Sequence, residues 1–237
     1  ELQESYNYLL LLSEIGQDII ENKSVKSIIE KTYGAINSLL DATVFACGIY
    51  NPDKKVLEYT IMEEGEWLSG EINLQDKNKT GVWTFLNKRE IYSNDWNKEA
   101  IQYLGSAPGV VAGKTANSLI YLPLLQDDEA IGVLTVQSFD LNAYSNYQLN
   151  IMKNMAVYVA TALENAKAYG QIEQQKQEIE AKNTELEWKV EERTKELQVT
   201  NLEVQKQRDE VENMYTKVKL LGEIGQQVTS TLSLDAI

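Results

Sequence analysis

From Tyr169 to Leu221 the chain holds a seven-residue pattern that few structures can accommodate. With Tyr169 as heptad position a, the a residues run Tyr169, Lys176, Asn183, Val190, Leu197, Val204, Val211 and Val218. The d residues run Ile172, Ile179, Leu186, Arg193, Thr200, Gln207, Met214 and Leu221. No proline interrupts the stretch, and acidic and basic side chains nearly balance along it. A solitary helix would leave this seam in water, so the spacing predicts a coiled coil. Its apolar members are Tyr169, Ile172, Ile179, Leu186, Val190, Leu197, Val204, Val211, Met214, Val218 and Leu221. Lys176, Asn183, Arg193, Thr200 and Gln207 interrupt the seam; such residues lower stability but set register and partner number. Valine at a (Val204, Val211, Val218) with leucine at d (Leu186, Leu221) favours two parallel strands, so the expected partner is a second copy of the chain.

A second constraint is repetition. "LLSEIGQ" (Leu11–Gln17) returns as "LLGEIGQ" (Leu220–Gln226), and at the same offset Tyr6 aligns with Tyr215, Ser24 with Ser233 and Ile28 with Ile237. We read this as an internal duplication, and the chain as a piece of a longer polypeptide.

Composition removes whole classes of chemistry. There is no histidine and one cysteine, Cys47, which excludes internal disulfides, Cys/His zinc sites, Ser-His-Asp triads and His-ligated haem within this sequence. A net charge of −14 without a basic cluster argues against nucleic acid and against direct contact with anionic membranes. The longest apolar runs, such as Tyr8–Leu12, fall far short of the roughly 20 residues of a membrane span. These features point to a cytoplasmic module.

Ahead of the heptads the periodicity changes several times. Residues 2–22 read as a helix with Tyr6, Leu9, Leu12 and Ile19 near one face, and a second helix follows Ser24 with Val25, Ile28, Ile29, Ile36, Leu39 and Leu40 at helical spacing. "ATVFACGIY" (Ala42–Tyr50) and "KVLEYTIM" (Lys55–Met62) form a hairpin about the turn "NPDK". A short helix near Val82–Leu86, a strand around Glu90–Ser93 and another short helix follow. "NSLIYLPLL" (Asn117–Leu125) and "AIGVLTVQS" (Ala130–Ser138) are strands joined by "QDDE". A long helix opens near Ser145 with an apolar stripe of Leu149, Met152, Ala156, Val159 and Leu163, which needs a sheet to cover it.

"NSLIYLPLL", "EAIGVLTVQS" and "AYSNYQLNIMKNMAVYVATALENAK", in this order, resemble the last two strands and closing helix of a GAF domain, the small-molecule sensory module of signalling proteins. The resemblance covers roughly residues 10–168. It implies an α+β, PAS-related fold: an antiparallel sheet of five or six strands, first and last helices on one face, short helices and loops over a pocket on the other. "LEWKVEERTKELQVTN" is similar to the signalling helices that join sensors to the output domains of histidine kinases and nucleotide cyclases. The expected organisation is the end of a linker helix (1–9), a GAF sensor (10–168), a coiled-coil signalling helix (169–219) and the first helix of a second GAF domain (220–237).

Family ligands include cyclic nucleotides, bilins, haem and small metabolites or anions. Cyclic-nucleotide binders carry a signature ending in Phe, three residues, then Asp-Glu; here Tyr144 stands for Phe, and Gln148 and Leu149 for Asp-Glu. Bilin attachment uses a Cys-His pair, but Cys47 is followed by Gly48. The expectation is no cofactor, with room for a small molecule contacted by Trp67, Trp83, Tyr92, Asn94 and Asp95 in the variable middle. "PGVVAGKT" (Pro108–Thr115) puts proline at the first glycine of a P-loop and leads into a strand, so it is set aside. Cys47 reads as a buried thiol, and "EEGE" (Glu63–Glu66) as a solvated loop.

The function expected is a regulatory sensor and dimerisation module, not an enzyme, that signals through the coiled coil to a downstream GAF and output domain of the same polypeptide. The alternative is a spacer that dimerises without binding a ligand.

Overall fold

The computed structural model describes residues 13–105 and 115–234, with side chains as far as residue 230. Helical residues 13–20 (α1) precede α2 (Val25–Leu39), β1 (Val44–Asn51), β2 (Val56–Glu63), β3 (Glu66–Asn73), α3 (Thr80–Asn87), β4 (Ile91–Ser93), α4 (Trp96–Leu104), β5 (Ser118–Gln126), β6 (Glu129–Ser138) and α5 (Asn146–Leu234). Tyr6, Leu9 and Leu12 of the expected first helix, and nearly all of "PGVVAGKT", lie outside the described residues. The chain divides into a unit ending at Glu173 and one beginning at Gln174.

The six strands form one antiparallel sheet in the order β3-β2-β1-β6-β5-β4. Its hairpins follow from local chemistry. Asn51 Oδ1 accepts hydrogen bonds from the N–H groups of Asp53 (3.1 Å) and Lys54 (3.2 Å), which turns the chain from β1 into β2. Two-residue loops with positive φ, Glu64–Gly65 (51° and 85°) and Asp127–Asp128 (48° and 63°), close β2–β3 and β5–β6 with a twist that suits right-handed strands. The acidic run "EEGE" is therefore a tight hairpin turn. It delivers β3, a strand the sequence did not announce: "EWLSGEIN" is an edge strand, almost wholly exposed, with no apolar alternation to mark it.

Alternating strand residues feed two cores. On one face Phe45, Cys47, Ile120, Leu122, Leu134 and Val136 meet Ile19 of α1, Ile28, Ile29 and Ile36 of α2, and the α5 stripe of Leu149, Met152, Ala156, Val159 and Leu163. Each such large aliphatic or aromatic side chain removed from water is worth about 1.5–3 kcal/mol. On the opposite face Ala46, Leu57, Tyr59 and Val133 pack with Val82 and Phe85 of α3. Ile91 and Leu119 cluster with Trp96 and Ala100 of α4.

The start of α5 is fixed by a capping box. The Ser145 hydroxyl accepts the Gln148 N–H (3.3 Å), while Gln148 Oε1 accepts the Ser145 N–H (2.8 Å). The helix then runs unbroken to Leu234. Its buried positions end at Ala166, and the apolar heptad residues beyond, from Tyr169 to Leu221, are exposed in the single chain. Among the described residues no helix is long and apolar enough to cross a membrane.

Candidate functional site

The strand register shows which side chains share the α3/α4 face of the sheet. Across the ladder Glu63, Val44, Gln137 and Leu119 stand in one row, and Ile61, Ala46 and Tyr121 in the next. In the row after, Tyr59 is flanked by Gly70 on β3 and Gly48 on β1. These rows floor a cavity of about 400 Å³, walled by Asn78, Lys79, Thr80 and Gly81 at the start of α3, by Trp96 and Leu104 of α4, and by Thr115, Ala116 and Phe139. A cavity of this size, mainly apolar with a few polar groups at its edge, is the usual form of a small-molecule site.

Tyr59 shapes one end of it. Its ring takes the space that a side chain at Gly48 would need, since a Cβ there would fall 2.6 Å from the ring. Its hydroxyl lies against the first turn of α3, where a Cβ on Gly81 would fall 2.0 Å from the oxygen. That hydroxyl is buried and has no hydrogen-bond partner among the described residues. Burial holds the Tyr59 phenol well above its ordinary pKa, with nearby Tyr121 adding to the shift. Burial likewise pushes Tyr121 up to about 12, and Gln137 Nε2 donates to its hydroxyl at 3.0 Å. Both phenols are thus neutral near pH 7. No side chain caps α3: Lys79, at its N-cap, makes no such bond, and the first intrahelical bond is Trp83 N–H to Lys79 O (2.9 Å). The amides of Thr80, Gly81 and Val82 therefore have no acceptor within the helix.

None of the five expected contact residues lines this cavity. Trp67 projects to the other face and packs edge-on against Tyr33 (centroids 5.6 Å apart) and Phe45 (6.4 Å). Trp83 packs on Tyr103 (5.3 Å) beside the α4 cluster. Asp95 precedes α4 and pairs with Lys98.

Tyr92 and Asn94 come together, but around backbone. Asn94 Nδ2 and the Tyr92 hydroxyl both donate to the Tyr144 carbonyl (2.7 and 2.6 Å), and the Tyr144 N–H donates to Asn94 Oδ1 (3.1 Å). The Tyr144 hydroxyl donates to the Asp41 carbonyl (2.9 Å), and Asn142 N–H to the Asn94 carbonyl (3.1 Å). This clasp ties the β4–α4 connection to the segment that launches α5.

The residues that do line the cavity, Tyr59, Gly81, Lys79, Tyr121 and Gln137 foremost, were hidden from sequence reasoning. β2 reads "VLEYTIME" with apolar residues on both faces, so only the register tells which of them face the cavity. Cys47 belongs to the opposite face; it is buried, and desolvation pushes its thiol up to about 12, which leaves little thiolate at neutral pH.

An antiparallel sheet with a long helix on one face and a cavity roofed by short helices on the other defines an α+β domain of the GAF-like type. The GAF domain profile matches residues 22–164, and the chain belongs to this family, whose members commonly act in sensing and signalling. Among solved structures the fold is similar to the GAF domain of an Acinetobacter phosphoenolpyruvate-protein phosphotransferase (TM-score 0.54, 13% identity, 68% of this chain and 95% of that one). It is also similar to free methionine-R-sulfoxide reductase from Neisseria meningitidis in complex with its substrate (0.55, 12%, 67% and 89%). A third similar structure is a methyl-accepting chemotaxis protein fragment (0.52, 12%, 65% and 98%). At such identities the likeness concerns the fold. No curated protein sequence matches the chain.

Proposed function

We propose that this chain is a regulatory GAF sensor that binds a small molecule in the α3/α4 cavity and passes its state along α5 as a parallel homodimer. The observation that carries the reading is α5 itself. One helix contributes Leu149 to Ala166 to the core of the sensor and then presents the exposed heptad seam from Tyr169 to Leu221. An apolar seam left in water is costly, and a second copy in register would cover it. Trp96 and Leu104 of α4 wall the cavity, and the Asn94–Tyr144 clasp joins the α4 connection to the root of α5, which supplies a physical route from cavity to helix.

In this reading residues 169–219 are the signalling helix, residues from 220 open a second GAF domain, and the receiver is an output domain of the same cytoplasmic polypeptide. The module regulates rather than catalyses: its one cysteine lies across the sheet from the cavity, and it has no histidine. The test is disulfide crosslinking of Val190→Cys and Leu197→Cys with light scattering. A dimer of the 26.9 kDa chain with crosslinks at both positions supports the reading, and a monomer overturns it. A ligand-free spacer is distinguished by thermal shift against a metabolite panel, because a ligand specific for the folded state raises Tm by mass action.

A further inference from the structure

We infer that the α3 end of the cavity is built to seat a singly charged organic anion, a carboxylate with an apolar body. This rests on the reading of the cavity as a ligand site and goes beyond it by naming the ligand's chemistry.

Two independent observations converge there. The first is the uncapped start of α3, where the N–H groups of Thr80, Gly81 and Val82 have no intrahelical acceptor and the helix dipole favours negative charge. The second is the Tyr59 hydroxyl, buried, without a partner among the described residues and packed against Gly81 in that same turn. A buried hydroxyl without a partner is rare in folded proteins, and this one lies in the same turn as the three free amides. Lys79 adds a positive charge at the rim and makes no ion pair among the described residues. What the α3 end lacks among the described residues is an acceptor for these groups, and a carboxylate provides one for several donors at once.

Charge sets the limit on the anion. Among the described residues Lys79 is the sole cationic side chain lining the cavity; Glu63 lines it from β2, and Glu71, whose carboxylate pairs with Lys54 at 3.8 Å, lines it from β3. A phosphate dianion would find too little compensation here, whereas one negative charge matches one lysine and a helix terminus. Behind the polar end, Ile61, Ala46 and Leu119 offer an apolar floor for the rest of the molecule. The hydroxyl is closed off by the α3 turn, so a ligand oxygen reaches it by displacing that turn outward, and binding is thereby registered in the position of α3.

The experiment titrates the full chain, 15N-labelled at glycine, with hexanoate and phenylacetate, with their neutral primary amides, and with hexyl phosphate. The expected result is saturable binding of the carboxylates that moves the Gly81 amide resonance, with the amides weaker by about tenfold, which corresponds to about 1.4 kcal/mol. Tyr59→Phe and Lys79→Met should each weaken carboxylate binding by roughly fivefold, and Lys79→Met should narrow the difference between acid and amide. Equal binding of acids and amides, or glycine shifts at Gly48 and Gly70 that spare Gly81, would overturn the anion seat while leaving the cavity as a ligand site. Tighter binding of hexyl phosphate than of the carboxylates would overturn the single-charge assignment. Binding by none of these probes would overturn the inference, and the metabolite panel then decides the sensor reading by itself.

Discussion

Removing the Tyr59 hydroxyl should make the ligand-free protein more stable, which is unusual for a substitution in a core. The oxygen is buried and unpartnered. Leaving a hydroxyl in that condition costs about 1–3 kcal/mol. Tyr59→Phe keeps the ring over Gly48 and forfeits a handful of van der Waals contacts worth about 0.1–0.2 kcal/mol each, so the net gain should be about 1 kcal/mol. For a chain of this size that is a rise in Tm of about 2–4 °C. Urea unfolding followed by tryptophan fluorescence reports on the GAF domain through Trp67, Trp83 and Trp96, and should show a higher midpoint with an unchanged slope.

Gly81→Ala completes the argument as a double-mutant cycle. Its Cβ would sit 2.0 Å from the Tyr59 oxygen, so alone it should cost about 1–3 kcal/mol, despite alanine's better helix propensity. In the Tyr59→Phe background the nearest obstacle is the ring carbon at 3.2 Å, and most of that cost should disappear. A coupling below about 0.5 kcal/mol, or a Tyr59→Phe variant less stable than the parent, would refute the contact between this hydroxyl and the α3 turn.

Three further outcomes follow from the same geometry. Asn94→Ala removes the amide that both donates to and accepts from the Tyr144 backbone and should destabilise the GAF domain by about 1–3 kcal/mol in urea unfolding, whereas Asp95→Ala, which loses only an exposed pair with Lys98, should cost less than about 1 kcal/mol. If the proposed dimer forms, Leu197→Asp puts a charge into its heptad seam and should shift the light-scattering mass towards the monomer without changing the GAF domain's near-UV circular dichroism, because Leu197 is exposed in the single chain. Stability should fall above about pH 9–10: Cys47, Tyr59, Tyr121 and Tyr144 are all held protonated by burial, so the unfolded chain loses those protons first as pH rises, and each group contributes a slope of up to about 1.4 kcal/mol per pH unit between its unfolded and folded pKa. Urea midpoints at pH 8 and pH 11 check this, and equal midpoints would contradict it.

Much of the fold was legible because its signals are local. The α5 stripe from Leu149 to Leu163 has one period and one buried face, and it packs where that period says. The β1–β2 and β5–β6 hairpins are bracketed by turn residues whose side chains or positive φ angles make the turns. β3 escaped because an edge strand needs no apolar alternation when neither face is deeply buried; its single recognisable aromatic, Trp67, covers Phe45 and Tyr33. The site was less legible for a different reason. Aromatic and polar residues clustered in sequence, Tyr92, Asn94 and Asp95, suggested contacts, but Tyr92 and Asn94 are occupied with the backbone of Tyr144 and Asp95 with the side chain of Lys98. Tyr59, in a strand apolar on both faces, acquires its surroundings only from the register that places Gly48 and Gly70 beside it and from the arrival of Gly81 on α3.

The two sets of polar groups separate structural from functional roles. At the Asn94–Tyr144 clasp the carbonyls and amides of Asn94 and Tyr144 are paired over short distances, which is how a folded protein fixes a junction. At the start of α3 the Tyr59 hydroxyl lacks a partner and the helix lacks a cap, a combination that selection for stability alone would remove with Tyr59→Phe and a capping serine or aspartate at position 79. The clasp lies between α4, which walls the cavity, and α5, which leaves the core at Ala166 to become the exposed seam. A ligand that satisfies the α3 end gains free energy available only in the occupied state, and that differential is what any shift of α4, the clasp and the seam must draw on. Asn94→Ala therefore separates the two roles: it should leave hexanoate affinity within about twofold while weakening the effect of hexanoate on crosslinking at Val190→Cys. If it weakened binding and crosslinking response in equal proportion, the clasp would be part of the site rather than the link from it.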